Sequence, residues 1–548
     1  MRRAVAVFAL LLLPTFAFAE ETRRYVVALK PAFSADRAAA LLRDVEIAPQ
    51  SREVAAFKTL DAFAADLTDA EARELRRQPN VRYVEEAVEM RAYGDVKRSA
   101  LDASRNLAGQ TVPAGIDIVR ARDVWGVTKG ETVNVVVMDT GITYTHPELA
   151  AAYAGGLNTY TQSGDPMDDH SHGTHVAGTI AAADNDIGVV GVAPGVRLWG
   201  VKVLKADGTG QTDRSVAGID WVIQQKRARG GNWIINMSFG ASVETASQRE
   251  AVARAVNEGI LIVAASGNES TAATAAPVSY PAAFPGVFAV GAIDNQLHIA
   301  NFSNQGPQLS GVAPGVDVLS TVRLGDGLLS GISTPTGDLF GAALAGSKQG
   351  IVSGAFVFCG IGREGDFPAQ VNGRIAVIQR GGEIKFWLKT RRAKEAGATA
   401  VVIVNHEDTP LSFTLIDAEE PSTSTYDWPV TVAISRVDGE QLLSQSNAMI
   451  TVMNDDDDYD SYQGTSMASP HVAGIAALAW SVAPTATAAD VKQALTATAT
   501  DLGSSSFDNI FGFGLINALE AAKRMNPGAF GLPTTPPPAS TRRRIVPR

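Results

Sequence analysis

Apolar and polar residues follow one another along this chain in two different rhythms. Through residues 20–98 the apolar runs are short and interrupted by charge. RRYVVALKPAF reads as a strand, SADRAAALLRDV from Ser34 as a helix, and FKTLDAFAADLT as a second strand region. DAEARELRRQPNVRYVEEAVEMRAY follows, first helical and then extended. The order β-α-β-β-α-β predicts a small α+β module. Residues 94–111 then turn polar and loop-like.

From Val133 the rhythm changes. VNVVVMD (133–139), LWGVKVL (198–204), WIINMSF (233–239), LIVAASG (261–267) and VFAVGAI (287–293) are apolar runs rich in β-branched residues and bounded by turn formers. Such runs fit strands buried on both faces. Between them DRSVAGIDWVIQQKRA (213–228) and ASQREAVARAVNEG (246–259) carry helical spacing. The alternation predicts an α/β domain on a doubly wound parallel sheet, with its site at the carboxyl ends of the strands. The order breaks near Arg323. A Gly-rich passage leads into GRIAVIQRGG, EIKFWLKTRRAKEAGA, TAVVIVNH and VTVAISRVDGEQLL, a second β/α module inserted over residues 326–456 of a domain spanning 99–530. The acidic run NDDDDYD (454–460) reads as a solvated loop, because it lacks the Gly and distal Glu of an EF-hand. Three helical stretches and a Pro-rich basic tail, 531–548, end the chain.

Charge and the chain ends narrow the function. The formal net charge is −11, although Arg2-Arg3 and Arg542-Arg543-Arg544 are basic, so the body between is more acidic than the total. Such a body repels nucleic acid and suits calcium. MRRAVAVFALLLLPTFAFAE has a basic start, a short apolar core and a small-x-small site at Ala17-Phe18-Ala19. It reads as a signal peptide over residues 1–19, predicting a secreted protein with no transmembrane anchor in its mature form; a periplasmic or cell-associated place is the alternative. Cys359 is the only cysteine, so stability comes from packing and bound metal rather than an intrachain disulfide. It reads as a core residue.

Three stretches carry chemistry. VVVMDTGI ends the first sheet strand at Asp139, DDHSHGTHVAGT opens a helix at His172, and QGTSMASPHVAG puts Ser466 at the start of another. Singly, each has a bland role: Asp139 in a turn, His172 in a first helical turn, Ser466 as an N-cap. Together they are the parts of acyl transfer. A serine attacks a carbonyl, a histidine takes its proton, and a carboxylate holds the imidazole tautomer.

With VKVLKADGTGQ, NMSFG and AASGNES in the same order, these motifs extend over most of residues 109–322 and resume at 461–525, and the chain resembles the subtilisin-family serine proteases, or subtilases. The resemblance implies a serine endopeptidase with Ser466 as nucleophile, His172 as base and then acid, and Asp139 as orienting carboxylate. Asn268 matches the oxyanion-hole donor, beside the backbone N–H of Ser466. It implies a polypeptide substrate laid as an added strand between Gly208-Thr209-Gly210 and Ser238-Phe239-Gly240. Ser279 would narrow the primary pocket, and specificity is expected to be broad with a hydrophobic bias. A structural Ca2+ site is implied at Gln110, Glu148 and Asn185 with the carbonyls of Ala183, Ile187 and Val189, an oxygen-only set that suits a hard cation. Glu148 is one methylene longer than the family's usual Asp. His175 and His471 are expected to hydrogen-bond within the core.

Residues 20–98, ferredoxin-like in element order, resemble the family's inhibitory propeptide, an intramolecular inhibitor and folding template. The resemblance makes the protein an autoprocessed zymogen, cleaved within 94–109. The 326–456 insert resembles a protease-associated domain, and the enzyme is expected to be a monomer. Two other readings stay open: a non-catalytic binding protein that works through the insert, and a processing enzyme whose single target the insert selects. The intact Asp139, His172, Asn268 and Ser466 speak against the first.

Overall fold

The computed structural model describes residues 21–30, 38–44, 47, 53–94, 109–407, 413–445 and 448–531. The expected signal peptide, most of the expected cleavage zone and nearly all of the basic tail lie outside the described residues. The chain divides into two compact units, residues 1–87 and 88–548.

In the first unit the strands Val54–Phe57, Ala62–Leu67, Arg23–Leu29 and Val81–Glu86 lie side by side in that order, all antiparallel. The helices are Ala38–Asp44 and Asp69–Arg77. Thr68 and Glu71 form a capping box at the second, its side chain and backbone each satisfying the other's donor. Val27, Leu29, Phe63, Leu67 and Leu75 fill the core. The unit closes at Ala87, and the last part of the expected 20–98 module, from Val88, packs with the second unit.

The second unit is built on a seven-stranded sheet, all parallel, in the order Leu309–Pro314, Phe288–Ile293, Leu261–Ala265, Asn232–Met237, Val133–Asp139, Arg197–Lys202, Tyr153–Asn158. The five runs read from the sequence are its centre. The two edge strands were not foreseen. Tyr153–Asn158 is YAGGLN, mostly half-buried, and has no apolar run to announce it.

The insert is a closed seven-stranded barrel. Around the ring run Gly327–Thr334, Gly337–Ala343, Val430–Ile434, Ala400–Val404, Ile375–Gln379, Gly350–Phe358 and Met449–Asp457. Ile332, Phe356, Val377, Val402, Val432 and Val452 fill it, and the helices Phe386–Glu395 and Arg436–Ser444 belong to the same module. The acidic run corrects the loop expected of it. Asn454 to Asp457 continue a strand paired with Gly327–Thr334 and Gly350–Phe358, and Tyr459–Tyr462 forms another. Asn454 is paired on both sides and Asp455 to Asp457 on one, and that backbone pairing outweighs the low strand propensity of Asp. Cys359 is buried and free, its thiol pushed up to about 11 chiefly by that burial.

Candidate active site

Asp139 closes Val133–Asp139, whose seven residues are all buried. Its Oδ1 accepts the Thr140 N–H and meets His172 Nδ1, both at 2.7 Å. His172 opens the helix His172–Ala181. Gly173 lets that helix approach the strand end, since a Cβ there would overlap the Gly141 carbonyl oxygen and lie 3.1 Å from Asp139 Cβ. Thr140 Oγ1 accepts the Gly173 N–H at 2.9 Å and fastens the junction. With Nδ1 donating to the carboxylate, the imidazole presents Nε2, which is buried without a hydrogen-bond partner among the described residues.

Ser466 is the second residue of Thr465–Ser481, so it is not the N-cap; Gly464 is. Pro470, four residues on, lacks the N–H that would bond the Ser466 carbonyl. That carbonyl accepts instead from Ser238 Oγ at 2.9 Å. The Ser466 hydroxyl donates to Ser238 O at 2.6 Å and not to His172.

Asn268 and the start of this helix fix each other. Asn268 Oδ1 accepts the Thr465 N–H at 3.0 Å and the Thr465 hydroxyl at 2.9 Å. That network assigns Nδ2 as the outward donor. Nδ2 reaches the Tyr93 carbonyl at 2.9 Å, and the Ser466 N–H reaches the same oxygen at 3.3 Å. Gly464 makes room for it, because a Cβ there would overlap that oxygen.

Tyr93 arrives on an extended segment of this chain. Glu89–Ala92 runs antiparallel between Thr209–Gln211 and Phe239–Gly240. The Ala92 N–H donates to Gly208 O at 3.0 Å and the Tyr93 N–H to Ser238 O at 3.2 Å. The segments assigned to substrate by sequence therefore grip a strand. Gly94 follows over the imidazole, where a Cβ would lie 2.8 Å from His172 Cδ2.

The subtilase family matches residues 130–345 and 365–514 of the chain. This chain belongs to the subtilase family. Subtilases are serine endopeptidases, and so is this protein. It is 36% identical over 350 residues to subtilisin E of Bacillus subtilis, covering 61% of this chain and 86% of that one. An intracellular serine protease of Paenibacillus polymyxa is 43% identical over 244 residues, 43% of this chain and 73% of its own. The crystal structure of the psychrophilic subtilisin-like protease Apa1 from the Antarctic psychrotroph Pseudoalteromonas sp. AS-11 superposes with a TM-score of 0.56 at 30% identity, covering 77% of this chain and 99% of that one.

Within this subtilase the side chains of the gripped strand fill two pockets. Tyr93 is 6% exposed, and Gly240 admits its ring, since a Cβ would fall 2.6 Å from Tyr93 Cε2. Burial, then the charge of Glu269, raises the Tyr93 phenol above its ordinary pKa. Ser279 Oγ donates to Glu269 Oε2 at 3.4 Å, and Asn304 Nδ2 donates to the same oxygen. Met90 is fully buried. Gln248 Nε2 lies 3.5 Å from its sulfur and donates to Ser215 Oγ at 2.9 Å, while Gln248 Oε1 has no partner among the described residues. Sequence reasoning placed Ser279 but missed Glu269, Asn304 and Gln248. Glu269 stood in AASGNES beside Asn268, and its position was the available signal.

Away from the cleft, one amide gathers four oxygens. Gln110 Nε2 lies 2.7 Å from Ala183 O, 3.1 Å from Asn185 Oδ1, 3.3 Å from Ile187 O and 3.2 Å from Val189 O. Glu148 is fully buried behind them: Oε2 accepts from Asn185 Nδ2 at 3.0 Å, and Oε1 from Tyr459 OH at 3.1 Å and the Val189 N–H at 3.3 Å. Burial raises its carboxyl pKa. His175 Nε2 meets Val318 O, and His471 Nδ1 meets Met467 O, each at 2.8 Å.

Proposed function

We propose that this endopeptidase works by acyl transfer through Ser466, His172 and Asp139, and that it is made as a zymogen whose first substrate is its own Tyr93–Gly94 bond. Ser466 Oγ leaves Ser238 O, gives its proton to His172 Nε2 and bonds the carbonyl carbon. The oxygen becomes an anion held by Asn268 Nδ2 and the Ser466 N–H. His172 returns the proton to the departing amine, whose C–N bond breaks. Water then attacks the acyl-enzyme by the same route, and Asp139 steadies the imidazolium each time it forms.

What carries this reading is the Tyr93 carbonyl, which accepts from Asn268 Nδ2 and the Ser466 N–H with its strand paired on both sides. Residues 20–93 then act as intramolecular inhibitor and folding template, with the scissile bond at the front of the expected 94–109 window. Tyr93 and Met90 report the pocket preferences: a large ring whose hydroxyl lies by Glu269, and a long unbranched side chain over Gln248. The barrel is read as a protease-associated domain, the enzyme as a monomer, and export as the work of residues 1–19. Among the described residues no helix is long and apolar enough to cross a membrane. A fluorophosphonate that labels the wild type but not Ser466→Ala supports the assignment; equal labelling of both refutes it.

The four oxygens around Gln110 fit a cation. They lie 2.7–3.3 Å from the one point that Gln110 Nε2 fills, so a cation would take that point with the amide drawn back and its oxygen turned toward it. The set is oxygen-only with a carboxylate behind it, as Ca2+ requires. Gln110, Ala183, Asn185, Ile187 and Val189 would hold it, Glu148 supplying charge and orienting Asn185. Its contribution is structural, tying residue 110 to the loop that follows the His172 helix.

A further inference from the structure

The chain on either side of the inserted barrel lies on the helix that carries His172. Val318–Thr321, just before the barrel, pairs antiparallel with Tyr459–Tyr462, just after it. This ribbon bonds to the helix along its length. Thr321 Oγ1 donates to Thr174 O and Ser320 Oγ to His175 O, both at 2.8 Å. The Tyr462 ring stacks on His175 with centroids 4.3 Å apart.

The junction reaches one residue further, to Ser171, which precedes His172. Ser171 has φ 79°, in the left-handed region, and its side chain does not cap its own helix. A residue with a Cβ is strained in that region, so it needs support. Its hydroxyl donates to Asp326 Oδ2 at 2.6 Å and accepts the Arg323 N–H at 3.2 Å. Arg323 Nη1 stands 3.3 Å from the same Asp326 carboxylate oxygen. Asp326 is the residue immediately before the first barrel strand. At the barrel's other end Asp458 Oδ1 accepts the Gly325 N–H at 2.9 Å, and its carbonyl accepts the Val322 N–H at 2.8 Å. The left-handed turn that aims His172 is thus fastened by a cluster at the place where the barrel joins the domain.

We propose that Ser171 and Asp326 form a positioning pair through which the mouth of the inserted barrel holds His172 in line with Ser466. The inference rests on His172 being the base. The pair acts through His172, whose ring direction follows from the backbone that Ser171 sets. The strands that grip peptide, Thr209–Gln211 and Phe239–Gly240, lie elsewhere in the unit, so the effect belongs to turnover rather than to binding. It also makes the barrel a lever on the rate: whatever unseats residues 323–326 releases the turn that aims the base.

The test uses the mature full-length enzyme and four variants: Asp326→Ala, Asp326→Asn, Ser171→Ala and the double Ser171→Ala/Asp326→Ala. kcat and KM are measured on a chromogenic peptide with Tyr before the scissile bond, with concentrations set by exhaustive fluorophosphonate titration and folding checked by Tm. A base displaced by a fraction of an ångström should cost about tenfold in kcat with KM within about twofold. Asp326→Asn should recover most of the rate, since its amide oxygen still accepts the Ser171 hydroxyl. The double variant should lose no more than the slower single one, as members of one interaction do. The proposal is overturned if Asp326→Ala keeps kcat within about twofold of wild type, if Asp326→Asn is as slow as the alanine, or if the single losses multiply. Should Asp326→Ala not fold, Asp326→Asn and Ser171→Ala still decide: a normal kcat in Ser171→Ala sinks the pair, and a loss confined to it supports the pair. His172→Ala runs alongside. If it stays as active as wild type, the failure lies in the triad reading and not in the pair.

Discussion

Asn268 joins two jobs that substitution can separate. Its Nδ2 faces the Tyr93 carbonyl at 2.9 Å, and its Oδ1 takes the Thr465 N–H at 3.0 Å. In the ground state the first is a neutral hydrogen bond, worth about 1 kcal/mol net. In the transition state the oxygen is anionic and the same bond strengthens; removing the corresponding donor in subtilisin itself, whose value we adopt, costs about 3–4 kcal/mol. The difference falls on kcat, a loss of about 10²–10³-fold with KM little changed. The second job is a helix cap, worth about 1 kcal/mol of stability. Asn268→Ala should therefore lose both rate and a few degrees of Tm. Asn268→Asp keeps an acceptor for Thr465 but offers no donor, so it should lose the rate and keep most of the Tm. Active-site-titrated enzyme, assayed for kcat and KM beside thermal unfolding, reads all three quantities. The reasoning is refuted if Asn268→Asp turns over at near wild-type rate, or if its loss appears in KM instead.

Three further outcomes follow from the geometry. Chelation of the purified enzyme should lower its Tm, calcium should restore it, and Gln110→Ala should abolish the calcium response; an unchanged Tm on chelation removes the cation from the account. Gln248→Leu replaces the polar floor beneath Met90, so at the fourth position before the scissile bond it should shift preference from Met toward Phe in a peptide-library assay; an unchanged profile places that selection elsewhere. Burial holds His175 and His471 neutral, drawing their pKa values from 6.5 to about 3 and about 4. The unfolded chain takes up those protons below about pH 6.5 and the folded chain does not, so stability is full above that pH and falls toward pH 4. Thermal scans of Ser466→Ala, which cannot digest itself, test this, and a Tm that stays level over that range contradicts it.

How much of this was legible beforehand depended on the kind of information each feature carries. Val133–Asp139 and its four apolar companions announced themselves because strands buried on both faces leave little choice of residue. Tyr153–Asn158 lies at an edge where Gly and Asn suffice, so its pattern said nothing. The acidic run misled because its charge is local, whereas its pairing partners lie more than a hundred residues away. The motifs put Asp139, His172, Asn268 and Ser466 forward as candidates, but nothing in them told that the Ser466 hydroxyl turns toward Ser238. Tyr93 gave no sign of its position. EMRAY reads as any extended stretch, and only pairing with Gly208–Gly210 and Ser238–Gly240 puts its carbonyl before Asn268. Asp326 was hidden for the same reason, since its partner lies 155 residues earlier.

The most direct test of the central claim is the intact mass of the purified precursor followed over time, beside Ser466→Ala. The wild type should split between Tyr93 and Gly94, giving one fragment that ends in Tyr93 and one that begins with Gly94, while Ser466→Ala stays whole. A wild type that remains intact when folded and calcium-loaded, or a Ser466→Ala protein that splits at the same bond, would contradict it.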